Sequence, residues 1–197
     1  VRLNYAGKAF EYAFTVVNAP VLPASFAAAP GSVNTARSGF RVRVHQLETA
    51  APGGNSAEKT EQQLADAFGP NTADLSGAEP DGAFTRDVIN MEQDGGEAGL
   101  MSASTGFADE TVPGIPGNSG TTDNIAMEIL GFLELQPGAY TLGGVSDDNL
   151  RLSIGADPRD VTSLRVLETA IGTTRGTFIV QQAGIYPVRA LWGEGVG

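Results

Sequence analysis

The chain has 197 residues, of which 41% are hydrophobic, and its formal net charge at pH 7 is −11. This apolar content is enough for one good core, or for a core with an appendage. The negative charge and the presence of only two lysines, Lys8 and Lys59, argue against nucleic acid or an anionic lipid surface as a partner and favour a cation or a neutral ligand.

Two further features of the composition narrow the class of protein. No stretch approaches the roughly 20 consecutive apolar residues of a membrane helix, so no membrane insertion is expected. Because the chain begins at Val1, we interpret it as a mature or excised segment of a longer protein. Cysteine is absent and His45 is the single histidine, which leaves oxygen ligands, and therefore Ca²⁺ or Mg²⁺, for any metal chemistry.

The first 36 residues read as a strand followed by a connector. Aromatic and β-branched residues alternate over residues 9–18, which predicts a strand. Residues 19–36 contain three prolines with alanine and serine, which is typical of an extended connector rather than a core element. We therefore predict an N-terminal strand and connector over residues 1–35 and a separate module over residues 36–197.

The module opens with a strand and a helix. Apolar and polar residues alternate over residues 39–47, which predicts a half-buried strand with His45 on a solvated outer face, outside any catalytic motif. Asn55 and Glu58 resemble a capping box, so residues 55–68 are predicted to form a helix. Glycine and small polar residues then dominate, and a loop-rich elaboration is expected at about residues 50–122.

From residue 123 onward the pattern is that of successive strands. The segment 125–135 contains good helix formers, but the Pro-Gly turn after it and the strands that follow favour a strand. Further strands are predicted within residues 138–145, 149–155, 162–169, 176–182 and 184–192. The predicted fold class is all-β, an antiparallel β-sandwich with one short helix in a long loop-rich insertion.

One of these strands, predicted at residues 149–155, begins at a group of adjacent polar residues, Asp147, Asp148 and Asn149. Neighbouring carboxylates on a strand point to opposite faces, so they can share one ion only if the backbone between them is bent. The same residues are also ordinary turn formers. From the residues alone, this segment can therefore be interpreted either as a metal site or as a simple hairpin turn.

The segments ILGFLELQPGAYTLGGVSDDNLRLSIG and FIVQQAGIYPVRALWGEG together resemble the protective-antigen-type domain. This antiparallel β-sandwich is shared by anthrax protective antigen, yeast flocculins, adhesins and many bacterial glycoside hydrolases. The resemblance implies that a cis peptide joins Asp147 and Asp148, that both side chains bind Ca²⁺, and that the ion coordinates hydroxyl groups of a sugar. The family's third ligand, a loop asparagine near the final strand, has no counterpart after Trp192, and Asn149 beside the pair is the remaining candidate for ligand binding.

The resemblance also implies a final strand that this chain lacks, so one sheet should present unpaired backbone groups. The predicted strand at residues 9–18 is a candidate to fill the gap, in its own domain or in a neighbour. The aromatic residues Tyr140, Tyr186 and Trp192 are interpreted as core rather than as sugar-stacking platforms.

Two functions follow as alternatives. The first is a calcium-dependent carbohydrate-binding, adhesin-like module of a larger bacterial protein, extracellular or on the cell surface. The second is a structural or self-assembly module whose partners are neighbouring subunits or domains. An enzyme is not expected, because no catalytic triad can be built without His45 and no Gly-rich phosphate loop follows a strand.

Overall fold

The computed structural model describes residues 2–5, 7–11, 18–93 and 110–196, and most of its strands belong to two facing sheets. The larger sheet has six strands in the order β11-β10-β13-β8-β4-β5, and all of its pairings are antiparallel. Its strands are β4 (Phe40–Gln46), β5 (Phe84–Arg86), β8 (Ile125–Leu135), β10 (Asn149–Ile154), β11 (Leu164–Thr169) and β13 (Gly184–Glu194). The all-β sandwich and the strand assignment of residues 125–135 are confirmed.

The smaller sheet has three strands in the order β3-β12-β9. Here β9 (Gly138–Ser146) and β12 (Gly172–Val180) pair antiparallel, and β3 (Val21–Leu22) pairs parallel with the end of β12. Leu22 is fully buried in the core. The prediction that residues 19–36 contribute no core element is therefore wrong at this point, because two apolar residues between Pro20 and Pro23 reach the sheet. The division of the chain at residue 35 stays a prediction.

One face of the six-stranded sheet carries the hydrophobic core along its whole length. Alternate residues of β8 and β13 point to this face, as the period of two requires. At one end they pack under the three-stranded sheet, where Phe178 and Tyr186 are fully buried. At the other end they pack under the loop-rich insertion, which contributes Val112 and Ile115. The insertion therefore closes the part of the core that the smaller sheet does not reach.

The opposite face of the same sheet is covered by the helix α1 (Ala57–Leu64). The helix is confirmed, but its N-cap is Ser56, whose side chain accepts a hydrogen bond from the Lys59 amide, rather than Asn55. The prediction that His45 is solvated is wrong, because it lies beneath this helix with only 3% of its surface exposed. Its Nε2 lies 3.0 Å from Asp66 Oδ1.

The remaining strands form two small sheets. β1 (Arg2–Tyr5) and β2 (Lys8–Glu11) form an antiparallel hairpin, so the described part of the predicted strand at 9–18 pairs with residues 2–5 and not with the sandwich. Residues 12–17 of that prediction lie outside the described residues. β6 (Met91–Glu92) pairs parallel with β7 (Glu110–Thr111). Neither α1 nor the short 3-10 helix Ala24–Phe26 has the length that crossing a membrane would require, and the described residues contain no longer one.

Candidate functional site

Asp147 and Asp148 form the turn between β9 and β10, and the peptide bond between them is cis. This is the bond that the family resemblance implies. Hydrogen bonds from Ser146 and from the end of β13 hold the turn in place. Ser146 Oγ donates to the Asp148 carbonyl at 2.8 Å, Trp192 Nε1 donates to the Asp147 carbonyl at 2.8 Å, and the Gly195 amide donates to Asp148 Oδ2 at 3.1 Å. The turn is thus fixed to the end of β13.

A third carboxylate completes a cluster with these two. Glu194 is the last residue of β13, and one ligand oxygen from each of Asp147, Asp148 and Glu194 lies within 4.8 Å of the others. Asp147 is exposed, Asp148 is half-buried and Glu194 is only 5% exposed. The cluster therefore has an open side at Asp147 and a buried side at Glu194.

The electrostatics of the cluster are unfavourable without a cation. Burial raises the pKa of Glu194 to about 7, and the charges of Asp148, Asp147 and Asp123 add to the shift. No ion pair between the described residues includes any of the three cluster carboxylates. Like charges held this close favour either a shared proton or a bound cation.

A second buried glutamate in the same sheet shows the opposite arrangement. Glu128 on β8 is 1% exposed and points to the α1 side of the sheet. Arg159 and Arg189 donate to its oxygens at 2.6 to 2.8 Å, and an Arg43 nitrogen lies 3.6 Å away. Burial alone would raise the pKa of Glu128, but the arginine hydrogen bonds and charges lower it overall. The fold thus supplies counter-cations for Glu128 and supplies none for Glu194 within the described part of the chain.

The segment before α1 reaches the cluster from the other face of the sheet. Asn55 Nδ2 donates to Asp148 Oδ2, and Lys59 Nζ donates to Asn55 Oδ1 at 3.4 Å. A side chain on Gly195 would collide with the Asn55 amide, since a Cβ there would lie 2.5 Å from Asn55 Nδ2. Glycine at this position lets the amide approach Asp148.

The structure does not bring Asn149 into the carboxylate cluster. Its side chain is 3% exposed and lies on the α1 side, where Nδ2 donates to Thr60 Oγ1 at 3.3 Å. Gly193, opposite Asn149 on β13, leaves room for this contact. Asn149 helps to fix the strand after the turn, and a direct role in ligand binding stays a prediction.

The aromatic residues lie in the core, as interpreted. Trp192 is 8% exposed and Tyr186 is fully buried, with its hydroxyl donating to the Gln182 carbonyl at 2.8 Å. The half-buried Tyr140 stacks on Phe178 with ring centroids 5.9 Å apart. A ligand at the cluster would therefore be recognised through oxygen atoms.

The donor set suits a hard divalent cation. All three cluster ligands are carboxylates, which Ca²⁺ and Mg²⁺ prefer, whereas zinc sites are built mainly from nitrogen and sulfur. Sequence reasoning missed Glu194. The available signal was a single acidic residue between two glycines at the very end of the last strand.

Comparison with solved structures shows an adhesin-like β-sandwich fold. The A domain of epithelial adhesin 9 from Candida glabrata, in complex with Galβ1-4GlcNAc, matches over 89% of this chain and 83% of that one, with a TM-score of 0.51 and 12% identity. A subtype-switched epithelial adhesin 9 to 1 A domain from the same organism, in complex with β-lactose, covers 89% of this chain and 81% of that one, with a TM-score of 0.49 and 12% identity. No family model and no curated protein matches the chain.

Proposed function

We propose that the chain is a calcium-dependent carbohydrate-binding, adhesin-like module of a larger bacterial protein, extracellular or on the cell surface. The observation that carries the proposal is the carboxylate cluster at the cis Asp147–Asp148 turn, which no basic side chain in the described residues neutralises. Membership of the protective-antigen-type family is part of the proposal, and the carboxylate cluster at the matching residues supports it.

Asp147, Asp148 and Glu194 would hold the ion. Three carboxylates supply at most six oxygens, and Ca²⁺ takes six to eight, so backbone carbonyls and water would complete the shell. Bound Ca²⁺ would offer open coordination positions to ligand hydroxyls. Asn55 and the Gly195 amide would orient Asp148 through their hydrogen bonds, and Trp192 would hold the Asp147 backbone.

A sugar is the ligand class that fits this site. The cluster lies at one end of the sandwich with Asp147 exposed, so a surface ligand can reach it. A neutral polyol is not repelled by a chain of net charge −11, whereas an anionic ligand would be. The fold is shared with an adhesin domain that was solved with a galactose-containing disaccharide, which supports testing β-galactosides first.

The chemistry of the site favours binding over catalysis. His45, the single histidine, lies under α1 beside Asp66 and is not part of the cluster. The glutamate with the raised pKa is also the most buried member of the cluster. We therefore propose a non-enzymatic module.

The test is a glycan array probed with the labelled chain in 5 mM calcium and in excess chelator, followed by titration of the best ligand. Calcium-dependent binding that Asp148→Asn abolishes would support the proposal. Asp160→Asn is the matched control, because it removes the same charge from an exposed turn and the asparagine oxygen can still accept from Thr162. Equal binding in calcium and in chelator, or binding that survives Asp148→Asn, would refute it.

A further inference from the structure

Among the residues that the structure describes, the strand β9 is an open sheet edge. Its nine residues, Gly138–Ser146, pair with β12 in one uninterrupted register, and no described strand pairs with its other side. In an antiparallel strand about half of the backbone N–H and C=O groups point away from the paired neighbour. A long regular edge of this kind is a template for one more strand.

The other edges of the two main sheets are protected against such pairing. β3 has two residues and lies between two prolines, and β5 has three residues. β11 carries the charged pair Arg165 and Glu168, and its register with β10 shifts at a bulge. Short length, proline, charge and bulges are the devices that keep sheet edges from associating. The strand β9 has none of these four protective features.

The composition of β9 favours close approach of another strand. The segment from Leu135 to Ser146 has no charged residue. Glycine, alanine, serine and threonine make up most of the strand, and Val145 is 44% exposed. Tyr140 and Leu142 lie at the rim of the core and are only half-buried, so a strand beside β9 would cover them further.

We infer that β9 pairs antiparallel with β9 of a second copy of this chain, about a two-fold axis at Leu142. All nine residues pair in this register. On the core side Tyr140 lies opposite Gly144 of the second copy, and Leu142 lies opposite its own equivalent. On the outer side Thr141 lies opposite Gly143, and Ala139 lies opposite Val145. Each large side chain on the core side meets either a glycine or its own equivalent, so the edge is complementary to itself.

The absence of charge on β9 limits the electrostatic cost of this pairing. Two chains that each carry a net charge of −11 repel over most approaches, and contact at an uncharged segment reduces that cost. The pairing joins the three-stranded sheets of the two copies into one six-stranded sheet, in the order β3-β12-β9 from one copy and then β9-β12-β3 from the other. A two-fold contact is closed, so it gives a dimer rather than a filament.

The first test is sedimentation equilibrium of the full chain from 5 to 500 µM, on the wild type and two lysine variants. Thr141→Lys places a charge on the edge strand. Thr177→Lys places the same charge on the same face one strand inward, and both variants lose the hydrogen bond of 2.9 Å between Thr141 and Thr177. We expect a wild-type dimer, a dissociation constant at least about tenfold higher for Thr141→Lys, and little change for Thr177→Lys.

The second test is a disulfide trap, which is simple to interpret because the chain has no cysteine. In the inferred register the double variant Thr141→Cys/Gly143→Cys should form crosslinked dimers on mild oxidation, because each cysteine faces the other in the second copy. The control double variant Thr173→Cys/Arg175→Cys has its cysteines on β12, one strand further from the contact, and should form none. A wild type that stays monomeric at 500 µM would overturn the inference. So would a dimer that resists Thr141→Lys, or one that both lysine variants weaken equally, since the contact would then lie elsewhere or on the sheet face. Circular dichroism melts confirm that each variant is folded.

Discussion

Glu128 and Glu194 lie on neighbouring strands of one sheet and are both at least 95% buried, yet they meet opposite electrostatic surroundings. Arginines surround Glu128 and lower its pKa, whereas burial and neighbouring aspartates raise the pKa of Glu194 to about 7. Burying a carboxylate is costly unless it is paired. The contrast identifies the end of β13 as a place where the described residues bury a carboxylate without supplying a basic partner.

Removal of the Glu128 carboxylate should be strongly destabilising. Glu128→Ala leaves the buried Arg189 with Glu61 alone and deprives Arg159 of its bidentate partner. We expect a loss of about 3 to 5 kcal/mol in the free energy of unfolding, measured by urea denaturation. Glu79→Ala removes exposed contacts with Arg37, Arg41 and Thr85 and should lower the free energy of unfolding far less, because water screens exposed ion pairs. Similar losses in the two variants would contradict this account.

Glu194 should make the calcium-free protein less stable as the pH rises. Its pKa is about 7 in the folded chain and ordinarily 4.5, so between these values the folded state holds a proton that the unfolded state has released. The free energy of unfolding should therefore fall as the pH rises from about 4.5 to 7, by up to about 3 kcal/mol. Urea denaturation in the presence of a chelator, repeated across this pH range, measures the change in the free energy of unfolding.

Glu194→Gln is the control for that experiment, because the amide has a similar shape and does not titrate. The variant should lack this part of the pH dependence and should be more stable than the wild type at pH 8 without calcium. Parallel stability curves for the wild type and the variant would show that Glu194 is not the group responsible.

His45 should act in the opposite direction at acid pH. Burial lowers its pKa below the ordinary 6.5, and Asp66 only partly opposes this. The folded state then binds a proton less readily than the unfolded state, so His45 contributes a loss of stability as the pH falls below about 6.5. One histidine gives one set of imidazole signals in a proton NMR titration, with an expected midpoint below 6.5 and a lower one in Asp66→Asn. A midpoint above 6.5 would disprove the effect of burial.

The sequence predicted most of the sandwich because alternation of apolar and polar residues is a local signal. It predicted β4 and the strands from β8 to β13, and it singled out Asp147 and Asp148 through their adjacency. It failed where burial comes from a distant element. The outer face of β4 reads as solvated, but α1 covers His45 with polar contacts that have no hydrophobic pattern.

The candidate site also depends on contacts between residues that are far apart in the sequence. Glu194 and Asn55 lie 46 and 93 residues from Asp148 along the chain, and only the pairing of β10 with β13 and the docking of α1 bring them to it. Asn149 is adjacent to the aspartates in sequence, but strand alternation turns its side chain to the α1 face. Adjacency in sequence therefore identified the two aspartates but could not show which way the next side chain points.

Calcium titration of the wild type tests the central claim most directly, with calorimetric heat and melting temperature measured on the same samples. The cluster of Asp147, Asp148 and Glu194 should bind Ca²⁺ with a Kd of about 10⁻⁴ to 10⁻³ M, and the melting temperature should rise with calcium by mass action on the folded state. Asp148→Asn and Glu194→Gln should each lose most of this response, and Asp160→Asn should keep it. A wild type that gives no heat and whose melting curve does not move in millimolar calcium would contradict the account.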